Sequence, residues 1–272
     1  TDTSDLHEKM TLATSPEIWA EGGPVEDWTT DYDIRDKDYV ENPLPIWAEM
    51  REKCPVAHTD RLGGSWNPTR FDDVREMAKM TDFLSSRQVL VMPPPPGSAE
   101  MSRYEQMIAA APITADPPIH TWTRRMLLPA FAPKAVLQYE PYTEELAHSL
   151  IDEFIESGRC DGAEQYSQQI PPRVIAHMIG VDPGMADQFV IWVNGVLGAG
   201  LNDPELRLKT REELLGFIGA EVAKRMEDPR EDLLTELLFM ELDHPDAKIT
   251  PEVVVGITNL LIIAGIDTTW SS

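Results

Sequence analysis

From Val253 to Ile266 the chain carries no charge, and its apolar residues fall on every side of a helical projection. Elsewhere the hydrophobic positions are striped. A helix apolar all round is a buried one, and this uncharged run, bounded by Glu252 and Asp267, is shorter than the ~20 residues of a bilayer span. The pattern predicts a long helix through the middle of the protein, capped by Thr250 and begun by Pro251 and Glu252. Before it, Leu146, Leu150, Ile151, Phe154 and Ile155 mark one face of a helix that Gly158 ends. Similar patterns predict helices over 43–54 (Ile46, Met50 and Cys54 on one face), 71–80 and 169–180, ended by Gly180, where His177 reads as a packed core histidine. Two more, over 183–200 and 204–227, are joined by a turn at Asn202-Asp203-Pro204, and another covers 230–242. Two short extended runs around Gly63-Gly64 predict a β-hairpin. Residues 84–115 have no regular rhythm and contain four consecutive prolines; Ser98 is the candidate cap of a short helix reaching Ala110, and the stretch reads as a binding loop or lid. Residues 1–42, polar with scattered aromatics, read as an arm lying on the body. The fold class is mainly α with a small β region, with 43–272 as part of a single domain that ends inside the central helix.

Polar groups crowd the end of the apolar run. Ala264 stacks with Thr268, and Gly265 with Thr269, one helical turn apart. Small residues there leave room for something flat and bulky, with a hydroxyl at its edge. Asp267 points about 100° away. The alternative is local: each threonine bonds back to a carbonyl one turn earlier, and Asp267 pairs with a basic residue.

The second informative stretch is Asp116-Pro117-Pro118-Ile-His120-Thr-Trp-Thr-Arg124-Arg125. Asp116 reads as a helix cap, the prolines as the first turn and Pro129 as the stop. His120 and Arg124 share a face. Composition sharpens this: the chain of 272 residues has 47 acidic against 23 basic residues and a net charge of -24, yet none of its acids lies between Pro117 and Tyr139. The basic island of Arg124, Arg125 and Lys134 is either an exposed face paired with acids elsewhere or an anion clamp. The overall charge argues against a nucleic-acid partner. The polar, acidic N-terminus has neither signal-peptide nor anchor features, so no membrane association and a cytoplasmic location are expected. Cys54 and Cys160 form neither a disulfide framework nor a zinc spacing. Asp72, Asp73 and Glu76 could hold Mg²⁺ as in terpene synthases, but at a helix start beside Arg70 and Arg75 acids are favoured in any case.

Together these residues resemble a bacterial soluble cytochrome P450, a haem-thiolate monooxygenase. Ala264 to Thr269 resembles that family's A-G-x-D-T-T oxygen-activating helix, and Asp116-Pro-Pro-x-His120-x-x-x-Arg124 its haem-propionate helix. Phe83-Leu-Ser-Ser86, Ile170-Pro-Pro-Arg-Val-Ile-Ala176 and Asp232-Leu-Leu are further matches in the same order. The resemblance implies haem b (iron protoporphyrin IX), with His120 and Arg124 on its propionates and Ala264, Gly265 and Thr269 against its face. It implies that Thr268 donates a hydrogen bond toward dioxygen and that Asp267 relays protons. It places a hydrophobic small-molecule substrate against Leu260, Ile263 and Ala264, with Val91, Ile108 and Ile113 from the irregular stretch. A ferredoxin- or flavin-type electron donor would dock near Arg125 and Lys134. Neither Cys54 nor Cys160 lies in a setting like the family's iron-ligand loop, so no metal ligand is assigned, and the cysteine is expected beyond Ser272. The fold so implied is incomplete at its C-terminus. The competing readings are a helical binding module that uses the long helix for packing alone and, more remotely, a Mg-dependent terpene synthase.

Overall fold

The computed structural model describes residues 23–61, 64–86, 100–201 and 203–270. They form twelve α-helices and one two-stranded sheet: α1 (Lys37–Glu41), α2 (Pro43–Lys53), β1 (Val56–Thr59), β2 (Ser65–Pro68), α3 (Phe71–Met77), α4 (Arg103–Ile108), α5 (Ile119–Leu127), α6 (Pro133–Val136), α7 (Glu140–Phe154), α8 (Ile170–Ile179), α9 (Ala186–Leu197), α10 (Pro204–Glu227), α11 (Leu233–Leu238) and α12 (Pro251–Trp270). The predicted hairpin is there, antiparallel, with Val56 opposite Pro68 and Thr59 opposite Ser65.

Two cores divide the work. The smaller joins Tyr32, Ile46, Met50 and Ala57. Trp28, Tyr32, Tyr39 and Trp47 stack edge to face beside it. Arg61 fixes the described part of the N-terminal stretch to the hairpin, donating to both oxygens of Asp31 at 2.6 and 2.5 Å. The larger core is built on α12, which packs against α8, α9, α10, α11 and α4.

Alpha-12 has the length and composition to cross a membrane. Its burial is uneven. Val253, Val254, Gly256, Ile257, Thr258 and Asn259 are all buried, but beyond them only Ile262 and Ile266 are. The expectation of burial on every side therefore holds for the first half alone; in the second half one line is fully covered, and the other positions are half-buried or exposed. At Gly256 the α12 backbone lies directly against the carbonyl of Ile108, where any side chain would collide. Three residues on, Asn259 Nδ2 donates to the Ala109 carbonyl at 3.1 Å. These two contacts anchor the end of α4 to the central helix.

Alpha-4 is capped by Ser102, not Ser98, which lies outside the described residues. Ser102 Oγ accepts from Glu105 N, and Glu105 returns a bond to Ser102 N at 2.7 Å, a reciprocal capping box. His177 is not a core residue. It is exposed on α8 and stacks on Tyr142 at 4.1 Å between centroids. Asp72 and Asp73 lie in the first turn of α3, where Asp72 pairs with Arg75 at 3.0 Å. Among the described residues no cluster of acids, histidines or cysteines could hold a metal ion.

A buried ion cluster ties the C-terminal helices together. Arg225 on α10 is fully buried. Its Nε donates to Asp232 at 2.9 Å, and its other nitrogens donate to Glu221 and the Gly180 carbonyl. Asp232 also caps α11 through Thr235 N at 2.9 Å. Gly180 ends α8 at φ 75°, and a side chain there would strike the Asp232 carboxylate.

Candidate functional site

The open side of α12 faces a cavity of about 590 Å³ lined by Leu260, Leu261, Ala264 and Gly265 from α12, and by His120, Arg124, Phe131, Ile175, Pro112, Ile113 and Ser86. Alpha-5 supplies the polar side. Trp122, Thr123 and Met126 bury one face of that helix, which turns His120 and Arg124, one turn apart, toward the cavity. Neither side chain makes a hydrogen bond or ion pair with any other described residue. In a chain with 47 acidic residues, an arginine and a histidine side by side with no carboxylate partner among the described residues offer donors that suit an anion. Apart from Ser86, the remaining wall is apolar.

Of the residues proposed from the sequence, His120, Arg124, Ala264, Gly265, Leu260 and Ile113 converge on this cavity. Others do not. Ile108 is buried at 6 % exposure in the main core, under Gly256, because α4 abuts α12 with its backbone there and turns that side chain inward. Ile263 packs against the same core and is not in the cavity wall. Val91 lies outside the described residues. Thr268 and Thr269, both exposed, bond back to the carbonyls of Ala264 at 2.8 Å and Gly265 at 3.0 Å, as the local alternative anticipated. These threonines and the half-buried Asp267 extend beyond the wall that Ala264 and Gly265 form. Cys54 donates to the Val56 carbonyl and Cys160 is exposed; neither is in the cavity.

Several lining residues were not anticipated. Pro112 lies in the irregular stretch, and Ser86 and Ile175 lie in quoted motifs, so their regions were flagged but not their roles. Phe131 and Leu261 had no distinguishing signal. Ile175 Cδ1 would come within 2.7 Å of a β-carbon on Gly265. The glycine notch therefore partly accommodates Ile175, a core side chain, beside the cavity.

Asp116 departs from its expected role. Its main-chain oxygen accepts from His120 N at 3.0 Å, but its carboxylate does not cap α5. It reaches back to Ser86 N at 2.8 Å and pairs with Arg103. The Ser86 hydrogen bond, with Arg103 nearby, holds the Asp116 carboxyl below the usual carboxylate range.

Haem b can be tested against this arrangement. Its propionates need hydrogen-bond donors not already engaged, and the His120 and Arg124 side chains have no partner among the described residues; its ring needs a mainly apolar cavity, and most of this lining is apolar. The donor set fits. No thiolate joins it from the described residues.

No family model matches the chain. Curated proteins do. The putative cytochrome P450 YjiB of Bacillus subtilis is 26 % identical over 86 % of this chain and 57 % of its own length. The 6-deoxyerythronolide B hydroxylase of Saccharopolyspora erythraea is 27 % identical over 89 % of this chain and 61 % of its own. Among solved structures, cytochrome P450 CYP109Q5 from Chondromyces apiculatus superposes with a TM-score of 0.70 at 26 % identity, over 90 % of this chain and 59 % of that one. The chain thus spans less than two thirds of the relatives it matches. In sequence and in structure its relatives are cytochrome P450s, and it folds as a partial cytochrome P450.

Proposed function

We propose that the protein serves a haem-dependent monooxygenase acting on a hydrophobic small molecule. The observation that carries this is the cavity in which His120 and Arg124, whose side chains have no partner among the described residues, face Leu260, Ala264 and Gly265 of α12. Haem b, when bound, supplies the oxidative chemistry that puts one atom of dioxygen into a substrate C–H or similar bond while the other leaves as water. His120 and Arg124 grip the propionates. Ala264, Gly265 and Thr269 keep that side of the helix small, and Leu260, Leu261, Ile113 and Phe131 offer an apolar surface to substrate. Ile108 and Ile263 are not part of this surface.

Thr268 and Asp267 manage protons. The Thr268 hydroxyl turns from the Ala264 carbonyl to donate toward dioxygen in the cavity, and the Asp267 carboxyl passes protons inward from solvent. In the complete protein, Thr268→Ala is expected to retain haem but divert reducing equivalents into hydrogen peroxide. The ratio of product formed to electrons consumed measures this; unchanged coupling removes Thr268 from the reaction.

Arg125 and Lys134, both exposed, form the docking patch for a ferredoxin- or flavin-type donor with an acidic surface, in a cytoplasmic setting. Charge reversal by Arg125→Glu should slow electron transfer and flatten its dependence on ionic strength. A rate and salt slope equal to the parent's place the donor elsewhere.

A further inference from the structure

We infer that Asp116 is a positioning residue that sets one wall of the cavity and the anion clamp as a unit. The inference rests on the haem reading only for its ligand; the latch itself stands on the geometry. One residue serves three parts of the chain. Oδ1 accepts the Ser86 amide at 2.8 Å, and Ser86 is a cavity-wall residue. Oδ2 pairs with Arg103, whose Nη2 also donates to Ser85 Oγ at 3.0 Å. Arg103 is the first residue of α4, the helix whose end is anchored to α12 at Gly256 and Asn259. The main-chain oxygen of Asp116 accepts from His120 N, so the same residue starts the turn that presents His120 and, one turn on, Arg124.

A helix cap would have satisfied α5 locally. Here the carboxylate is turned away from α5 altogether, and α5 has no side-chain cap. The carboxylate instead connects the Ser86 wall and α4 to the clamp. Two hydrogen-bonded partners, one of them the oppositely charged Arg103 guanidinium, give that connection directional stiffness. It follows that a ligand held between the clamp and the wall is bound more tightly when the latch is intact.

The test compares Asp116→Ala, Asp116→Asn and Arg124→Ala with the parent in the complete protein, using haemin as the probe ligand and amide hydrogen exchange at Ser86 as an independent readout. Asp116→Ala is expected to expose the Ser86 amide to exchange and to weaken haemin binding about tenfold. Asp116→Asn, which keeps an acceptor but loses the charge facing Arg103, should fall between. Arg124→Ala should weaken haemin binding while leaving Ser86 protected, which separates the clamp from the latch. Failure of the parent itself to bind haemin overturns the haem reading and not the latch. The latch is overturned if Ser86 stays protected in Asp116→Ala, or if its amide exchanges freely in the parent. It is overturned as a positioning device if Asp116→Ala frees Ser86 yet binds haemin with parental affinity.

Discussion

Arg225→Ala is expected to lower the free energy of unfolding by about 3–5 kcal/mol, the usual consequence of removing one partner from a buried ion pair. Arg225 is fully buried, and its guanidinium serves Asp232, Glu221 and the Gly180 carbonyl together. Truncation takes a charged donor from two carboxylates and a carbonyl at once, leaving Glu221 with Lys224 and Asp232 with the Thr235 amide. Lysine cannot substitute, since one ammonium does not span three acceptors set in a plane. The damage should spread, because Asp232 caps α11 and Gly180 ends α8. The sign of the pH dependence also follows. Burial raises the Glu221 pKa, but hydrogen bonds from Lys224 and Arg225 more than offset this and hold it below the usual glutamate value. A carboxyl with a depressed folded-state pKa stabilises the fold above its unfolded pKa, and that contribution fades as pH falls below the ordinary glutamate value and through the lower folded one. Denaturant unfolding of Arg225→Ala at neutral pH is the check. A midpoint within experimental error of the parent's contradicts the assignment of this cluster as a structural clasp.

Arg124→Ala is the second large effect, and it is one of binding. A charge-assisted hydrogen bond contributes about 1.5–3 kcal/mol, so haemin affinity should fall roughly ten- to a hundredfold. Arg124 is exposed and has no carboxylate partner among the described residues, so its removal breaks no ion pair among them. Stability should therefore stay close to the parent's, in contrast to Arg225→Ala. Arg124→Lys should recover part of the affinity, since it restores the charge but not the two-pronged geometry. An absorbance titration with haemin measures all three proteins, and parental affinity in Arg124→Ala would remove the residue from the site.

The contrast between these arginines shows what the sequence could and could not convey. Arg124 was legible because it lies in an acid-free stretch of a very acidic chain, four residues from His120. Arg225 was not, since its importance comes from Gly180, 45 residues earlier in the chain, and no local pattern records that meeting. The striped helices, the hairpin and the central helix followed from periodicity and turn chemistry. What periodicity could not supply was which side of α12 stays open, because that depends on where α8 and α4 stop. Hence Leu260 and Ala264 line the cavity, whereas Ile108 and Ile263, equally apolar, pack with the core. Asp116 was misread for a related reason. An aspartate before a helix is usually its cap, and only the tertiary structure brings Ser86 and Arg103 within its reach.

The central claim is that one cavity, with α5 and α12 on its walls, receives a porphyrin. A crystal structure of the complete protein loaded with haemin tests it most directly. The account predicts the porphyrin lying against Ala264 and Gly265 with its propionates in contact with His120 and Arg124. A porphyrin bound elsewhere, or this cavity closed by the protein's own side chains while haemin is bound, would contradict it.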